Sequence, residues 1–365
     1  MDLAKKVIDF YRKNHDLICS TFRTSIFSNY KKESIMADLK TKYMGISLKN
    51  PIIAGASNMT ANLDKIKKLE DAGVAAIVTK SLFEEQIQLE RHKLDKDLHK
   101  YDDIHAEMVT IYPEIEHAGP EEHLMWVRKT VESVDIPVIA SLNAVNKEIW
   151  VDYAKQLAGT GIKGLELNFY ATPTDFDQKC DSIEKEQLSI LKEVKKAVSI
   201  PISAKLSSFY TNPLQFIAKA DQVDVDAFVI FNRMFQPEID VDKETMRFPF
   251  NLSEQNDNRL PLRFAGLLYG NIKAQLCAST GIFEGSDVIK MQLAGADCVQ
   301  VVSTLYRNKS DQVARMLDYI GNWMDDKGYA SLNDYKGKLS RKNSTDPWSY
   351  KRAQYVNMLF RGEIV

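Results

Sequence analysis

Cysteine is scarce in this chain, and the few cysteines are far apart. Four occur in 365 residues, with no C-x-x-C pair: Cys19, Cys180, Cys277 and Cys298. This spacing argues against a disulfide scaffold, a zinc site or a metal cluster bound within the chain, and it indicates a reducing compartment. Cys277 and Cys298 fall within apolar runs and are predicted to be inert core thiols.

Long apolar runs and an excess of one charge are also missing. No run approaches the roughly 18 apolar residues that cross a bilayer. The first residues include the charged Asp2, Lys5 and Lys6 and contain no apolar stretch like that of a secretory signal. Lysine and arginine total 48 against 50 for aspartate and glutamate, a formal net charge of -2, and no basic patch for nucleic acid stands out. We therefore predict a cytoplasmic protein that acts on a small molecule, with no nucleic-acid partner and no membrane span.

Short apolar, β-branched segments alternate with longer helical ones, which is typical of a parallel α/β fold. Buried parallel strands read as continuous apolar runs, and eight such runs favour a single closed (β/α)8 TIM barrel over a doubly wound sheet. The predicted strands are Pro51–Gly55, Ala76–Lys80, Pro137–Leu142, Gly164–Asn168, Pro201–Leu206, Ala227–Asn232, Ala274–Ser279 and Cys298–Val302.

Two connections are too long for simple turns: Ser81 to Val134 after strand two, and Arg233 to Arg263 after strand six. Both leave carboxyl ends of strands, where barrel enzymes place binding loops, so we interpret them as insertions that cover a site. A disordered insertion is the alternative for Asn251–Asn258. We expect a barrel over 36–340, an amino-terminal extension over 1–35 and a carboxyl-terminal tail over 341–365.

Two lysines end predicted strands at the same mouth of the barrel. Lys80 ends strand two and Lys205 lies near the end of strand five. A buried ammonium group is costly unless it meets an anion or an electron-rich acceptor, so the pair indicates a shared ligand. Structural ion pairs and Schiff-base chemistry on one desolvated lysine are the alternatives.

Amides and hydroxyl groups end other strands at this mouth. Asn168 and Asn232, with Asn143 after strand three, offer donor and acceptor edges that suit a neutral heterocycle, although each alone could be a cap or turn residue. Ser279-Thr280-Gly281-Ile282 and Ser303-Thr304 follow strands seven and eight, the usual position of a barrel phosphate site. Helix capping is the alternative for these hydroxyl groups.

Histidine is concentrated in the first insertion, which contains five of the six: His92, His99, His105, His117 and His123. Their spacing matches no metal-binding motif, so we interpret this region as a solvated segment of mixed charge and predict no metal site.

Several of these segments together resemble the dihydroorotate dehydrogenase family over about Met36 to Leu339. The strand opening N-P-I-I-A-G-A-S at Asn50–Ser57 is similar to that family's first strand. Further matches follow in the family's order: Val78–Ser81, Glu166–Asn168, Ala204–Leu206, Gly281-Ile282, Gly295–Asp297, Gly328–Ser331 and Gly337–Leu339. The segment from Pro137 to Asn168 is also similar to the barrel domain of dihydropyrimidine dehydrogenase.

The resemblance implies FMN in the barrel mouth, next to a pyrimidine-like substrate. By match, cofactor contacts would come from Ala56, Ser57, Lys80, Ser81, Asn143, Asn168 and Lys205, and phosphate contacts from Thr280, Gly281, Ser303 and Thr304. Asn168 and Asn232 would meet the substrate. In the family's chemistry a hydride moves between substrate C6 and flavin N5 while a base handles the C5 proton. The family often forms dimers, so a homodimer is one expectation and a partner subunit another.

Three departures from the family pattern bear on function. Where the family has N-L-S-[CS]-P-N, this chain has N-F-Y-A-T-P, so Ala171 stands at the position of the proton-transferring Cys or Ser. The orotate-binding N-x-M-G-L-P-N loop is absent. Thr280 stands at a glycine position, and β-branched residues resist positive φ. Tyr170 is our first candidate base, with Cys180 and Asp175 as alternatives.

The sequence therefore predicts an FMN-dependent oxidoreductase acting on a CH–CH bond beside a carbonyl, as in the oxidation of dihydroorotate to orotate or of a related dihydropyrimidine. Tyr170 and Lys80 are its predicted catalytic residues. Three alternatives are an FMN-dependent reductase of another activated alkene, a phosphate-binding Schiff-base aldolase without flavin, and a flavin-binding protein without turnover.

Overall fold

The protein is a closed barrel of parallel strands surrounded by helices. The computed structural model describes residues 37–84, 87, 120–171, 175–179, 181–233, 236–247, 252–346, 350–351, 355–356 and 359–360. The predicted amino-terminal extension, four of the histidines of the first insertion, Cys19 and Cys180 lie outside these residues. The proposed boundaries of the extension and tail stay predictions.

The strands divide into eight barrel strands, one short strand that continues the barrel wall, and two antiparallel hairpins. In chain order they are β1 (Thr41–Tyr43), β2 (Ile46–Leu48), β3 (Ile52–Ala54), β4 (Ala76–Val78), β5 (Leu82–Phe83), β6 (Val138–Asn143), β7 (Gly164–Asn168), β8 (Ile202–Leu206), β9 (Ala227–Ile230), β10 (Glu238–Asp240), β11 (Thr245–Arg247), β12 (Gln275–Ser279) and β13 (Cys298–Val301).

The order of strand pairing confirms the predicted barrel. The parallel sheet runs β4-β3-β13-β12-β9-β8-β7-β6, and β4 also pairs with β6, so the sheet closes on itself. Each of the eight predicted strands is present, and no strand end differs from its predicted position by more than two residues. Residues in these strands are almost entirely buried, which explains why they read as continuous apolar runs.

Helices cover the outside of the barrel. They are α1 (Leu63–Asp71), α2 (Glu121–Ser133), α3 (Lys147–Ala158), α4 (Ser182–Ala197), α5 (Pro213–Asp221), α6 (Arg259–Leu268), α7 (Gly285–Ala294), α8 (Ser303–Asn308) and α9 (Gln312–Lys327). Their apolar faces pack on the strands in one large hydrophobic cluster. In the described part of the chain, no helix has both the length and the apolar character that crossing a bilayer demands.

The hairpin β1–β2 closes the amino-terminal end of the barrel. Tyr43 and Met44, at its turn, are 0% and 2% exposed and pack with the inward-facing residues of the strands. The same interior cluster includes Cys277 and Cys298, which are free thiols buried as predicted. Burial raises the pKa of Cys298, which fits an inert core thiol. The opposite, carboxyl-terminal end is therefore where the barrel can open to a ligand.

The two predicted insertions differ in what they contain. Most of the first lies outside the described residues, but its last part forms α2, a regular barrel helix. The second contains the exposed hairpin β10–β11, a 3-10 helix at Gln255–Asn258 and the start of α6. Leu252 to Asn258 is ordered against the barrel mouth, so the disordered alternative is wrong for these residues.

Candidate active site

A cavity of about 350 Å³ opens at the carboxyl ends of the strands. This is the end where barrel folds place their functional groups, because the loops that follow the strands meet there. Most of the predicted site residues line this one cavity: Ala56, Ser57, Lys80, Ser81, Asn168, Tyr170, Lys205, Asn232, Thr280, Gly281 and Ser303.

Two predicted cofactor contacts lie beside the cavity instead of lining it. Asn143 ends β6 and is 6% exposed, and Thr304 in α8 is fully buried. The Thr304 hydroxyl donates to the Phe283 carbonyl at 3.2 Å and accepts from Asn308, which is a packing role within the rim. Their assignment to the cofactor stays a prediction.

Lys205 is held beneath the cavity by a carboxylate and an amide. It is 6% exposed, its Nζ donates to Gln300 Oε1 at 3.2 Å, and it lies 3.7 Å from Glu166 Oε1. Gln300 Nε2 in turn donates to Glu166 Oε2 at 2.5 Å. Glu166 is 0% exposed, and among the described residues its Oε1 has no hydrogen-bond partner. The three side chains form a buried polar network that fixes the lysine toward the mouth.

The two asparagines that end β7 and follow β9 are hydrogen bonded across the mouth. Asn232 Nδ2 donates to Asn168 Oδ1 at 2.8 Å. This bond uses one polar group of each amide and leaves an NH2 on Asn168 and a carbonyl on Asn232 without a hydrogen bond to the described residues. The pair can thus present one donor and one acceptor to a ring with alternating N–H and C=O groups.

The predicted phosphate loop keeps a glycine-like backbone even at Thr280. Thr280 has φ +82°, and its Oγ1 donates to the Phe231 carbonyl at 2.9 Å, which helps to offset the strain that a β-branched residue meets there. Gly281 follows at φ +76°, and a Cβ on it would lie 2.4 Å from the Asn258 nitrogen. Glycine is required at 281 because the segment after the second hairpin packs directly on it.

Ser253 joins this loop to the end of the last barrel strand. Its N–H and its hydroxyl both donate to Ser303 Oγ, at 2.9 and 2.8 Å, and Gly281 N–H donates to Ser253 Oγ at 3.3 Å. Two main-chain N–H groups and two hydroxyl groups therefore meet at one rim of the cavity, where they are hydrogen bonded to one another. An anion at this rim would take the place of these internal acceptors.

Sequence reasoning missed several lining residues, including Gln300, Arg233, Leu252 and Ser253. Gln300 carries a usable signal, because a polar side chain at the centre of the apolar run C-V-Q-V-V must face a polar interior. Arg233 and Ser253 carry no such signal, since they belong to a long connection whose path the sequence does not determine.

The candidate bases differ in how near they lie to the cavity. Tyr170 lines it, while Ala171 directly follows and is half-buried. Asp175 is exposed on the next loop, and Cys180 lies outside the described residues.

His123, in α2, is an exception to the expected solvated segment, because its Nε2 is buried. Burial and the charge of Lys80 lower its pKa to about 4. The groups of three or more metal-binding side chains that a metal site requires are absent from the described residues.

Comparison with known proteins identifies the family. A profile described as dihydroorotate dehydrogenase matches residues 106–324, more than half of the chain. The catalytic subunit of dihydroorotate dehydrogenase B (NAD(+)) from Methanocaldococcus jannaschii is 26% identical over 77% of this chain and 92% of its own length. The corresponding subunit from Thermoplasma acidophilum is 26% identical over 84% and 100%. Dihydroorotate dehydrogenase A (fumarate) from Limosilactobacillus reuteri is 25% identical over 72% and 86%.

The geometry of the cavity fits the cofactor of that family, FMN. Lys80 and Lys205 both line the cavity, and Gly281 and Ser303 follow the last two barrel strands, the usual place of a barrel phosphate site. Lys205 and Gln300, which also lines the cavity, are joined by a hydrogen bond and backed by the buried carboxylate of Glu166, so the cavity wall is polar where an isoalloxazine edge needs partners. This chain belongs to the dihydroorotate dehydrogenase family of FMN-dependent oxidoreductases, which act on CH–CH groups.

Proposed function

We propose that this chain oxidises the C5–C6 bond of a dihydropyrimidine ring, with dihydroorotate as the first substrate to test. The observation that carries the proposal is the Asn168–Asn232 pair, which offers a donor and an acceptor to a ring amide in the cavity that Lys80 and Lys205 share. The chemistry that FMN would supply in this cavity is the uptake of a hydride equivalent from the substrate.

The two lysines would hold the cofactor in different ways. Lys205, fixed by Glu166 and Gln300, would present a positioned ammonium group to the polar edge of the ring system. Lys80 lies two residues after β4 and lines the same cavity, and Ser81 beside it is fixed by a 2.6 Å contact between its hydroxyl and that of Ser141. Ala56 and Ser57 would line the flavin with main-chain atoms, and Asn143 and Thr304 would support it from behind.

This chain would differ from its relatives in the residue that transfers the proton. Ala171, at the position of the proton-transferring residue in the matching pattern, has no group that carries a proton. Tyr170 lines the cavity one residue earlier. We propose that its hydroxyl group, after it has given its own proton to solvent, would accept the C5 proton as a phenolate oxygen.

A second candidate function follows from Ala171. Without the usual base, the site would suit an FMN-dependent reductase of another activated alkene, whose proton comes from another donor. The aldolase alternative, a Schiff base on Lys80 or Lys205, is less well supported at Lys205, because Gln300 and Glu166 already contact that ammonium group.

The names of the relatives suggest proposals for the electron acceptor of this enzyme and for the subunits it assembles with. Two of them are named as catalytic subunits of an NAD(+) enzyme and one is named for fumarate. We propose that this chain passes its electrons either through a partner subunit or to a small organic acid, and that two copies can associate.

Anaerobic reduction of the bound flavin tests the substrate. We expect dihydroorotate to bleach the flavin absorption of the holoenzyme, and orotate to restore it after chemical reduction. The Tyr170→Phe variant should slow reduction by roughly 10²–10⁴-fold, the usual contribution of a general base, while it binds orotate normally. Reoxidation by an enone with no response to orotate would contradict the proposal and favour the second candidate.

A further inference from the structure

Arg233 is a cation of the cavity that neither the predicted cofactor site nor the proposed substrate contacts use. It follows β9, lines the cavity, and forms an ion pair with Asp257, on the 3-10 helix of the second insertion. We propose that Arg233 binds the phosphate of FMN, and that its guanidinium exchanges the Asp257 carboxylate for that phosphate when the cofactor enters. The inference deepens the proposed function, since it rests on FMN as the ligand of this cavity.

The position of the ion pair places the guanidinium at the phosphate rim. A Cβ on Gly281 would lie 2.9 Å from the Asp257 carbonyl carbon, so the backbone of Asp257 packs against the glycine of the phosphate loop. On the other side, Thr280 Oγ1 donates to the carbonyl of Phe231, two residues before Arg233. The backbone just before Arg233 and the backbone of its partner Asp257 therefore both contact the phosphate loop.

The charges around this rim make a cation necessary for an anionic ligand. Glu254, Asp257 and Asp287 all belong to segments that pack here, and Asp287 is fully buried. Each forms an ion pair with a basic side chain: Glu254 with Arg307, Asp257 with Arg233 and Asp287 with Lys290. A phosphate monoester adds roughly 1.5 to 2 negative charges. Because the three carboxylates here are already paired with three basic side chains, one of those cations would have to turn toward the phosphate to neutralise it.

Arg233 is suited to this exchange by its chemistry and its exposure. A guanidinium group binds phosphate through two parallel hydrogen bonds, whereas the neutral rim formed by Gly281, Ser253 and Ser303 supplies only uncharged donors. The side chains of Arg233 and Asp257 are 31% and 38% exposed. Water therefore screens their attraction, and replacing one carboxylate by a phosphate costs little.

Comparing FMN with riboflavin isolates the phosphate contact, because the two flavins differ only in that group. Flavin is removed from the purified protein, and each flavin is titrated back while its fluorescence quenching is followed. We expect Arg233→Gln to weaken FMN binding by about 10- to 100-fold, the loss typical of a hydrogen bond to a charged group, and to leave riboflavin binding unchanged. Arg233→Lys should recover part of the loss.

Arg307→Gln is the matched control. It removes an equal charge, from α8, by breaking the ion pair with Glu254, which is three residues before Asp257, but Arg307 does not line the cavity. We expect near-normal FMN binding in that variant. Asp257→Asn should keep or strengthen FMN binding, since it removes the carboxylate that competes with the phosphate for the guanidinium.

Two results would overturn the inference while leaving the proposed function intact: equal FMN affinity in Arg233→Gln and the wild type, or equal losses for FMN and riboflavin, which would indicate a structural role. Wild-type protein that binds neither flavin would overturn the proposed function and the inference together.

Discussion

His123 is a residue whose neutral form the fold requires. Its Nε2 is buried without a hydrogen-bond partner among the described residues, and burial together with the nearby charge of Lys80 lowers its pKa to about 4. Above pH 6.5 the imidazole is neutral in the folded and unfolded chains. As the pH falls from 6.5 to 4, the unfolded chain takes up the proton first, so the folded state loses stability.

The expected loss for His123 is about 3 kcal/mol over that range, from a shift of roughly 2.5 pKa units. Urea unfolding at pH 7.5, 5.5 and 4.5 measures it, and His123→Gln should lose less stability on acidification than the wild type. An identical pH dependence in the two proteins would show that His123 does not carry the effect.

Single residues also show where sequence reasoning succeeds and where it stops. Lys205 and Asn168 could be predicted because polar groups at the ends of apolar strands have to face a ligand or a partner. The backbone at Thr280 could not, since a β-branched residue at φ +82° depends on the hydrogen bond to Phe231, a residue 49 positions away. The backbone preference of a residue type describes that residue in isolation, and a tertiary contact such as this hydrogen bond can hold it in a disfavoured conformation.

At the scale of elements, the hairpin β1–β2 supports the barrel from its amino-terminal end. Tyr43 fills the barrel floor with Met44 and is 0% exposed. We expect Tyr43→Ala to lower the free energy of unfolding by about 3–5 kcal/mol, as for other large aromatic residues removed from cores. Ser47→Ala, at an exposed position of the same hairpin, should change it by less than about 0.5 kcal/mol.

Chemical denaturation of both hairpin variants tests this. A Tyr43→Ala protein as stable as the wild type would mean that the strands close without the hairpin. The hairpin itself was not predicted from the sequence, because its strands have only three residues each and too few positions to establish a period. The eight barrel strands were predicted, because a buried parallel strand shows itself by continuous apolar character.

At the scale of the whole molecule, the fold brings groups from distant parts of the chain to one mouth. Glu166 and Gln300 are 134 positions apart, and Ser253 and Ser303 are 50 apart. The order of strands predicts that such groups share an end of the barrel, which is why most of the predicted site residues line one cavity. The paths of the long connections, and with them Arg233 and Ser253, could not be predicted because local sequence does not determine how a loop packs.

The central claim is that one FMN lies in this cavity, between the two lysines and the rim at Gly281. The visible absorption of the purified protein, before and after incubation with FMN, tests it most directly. We predict the two-band absorption of bound flavin at one FMN per chain, with the substitution Lys205→Met reducing the bound fraction. A protein that stays colourless after incubation with FMN would contradict the account.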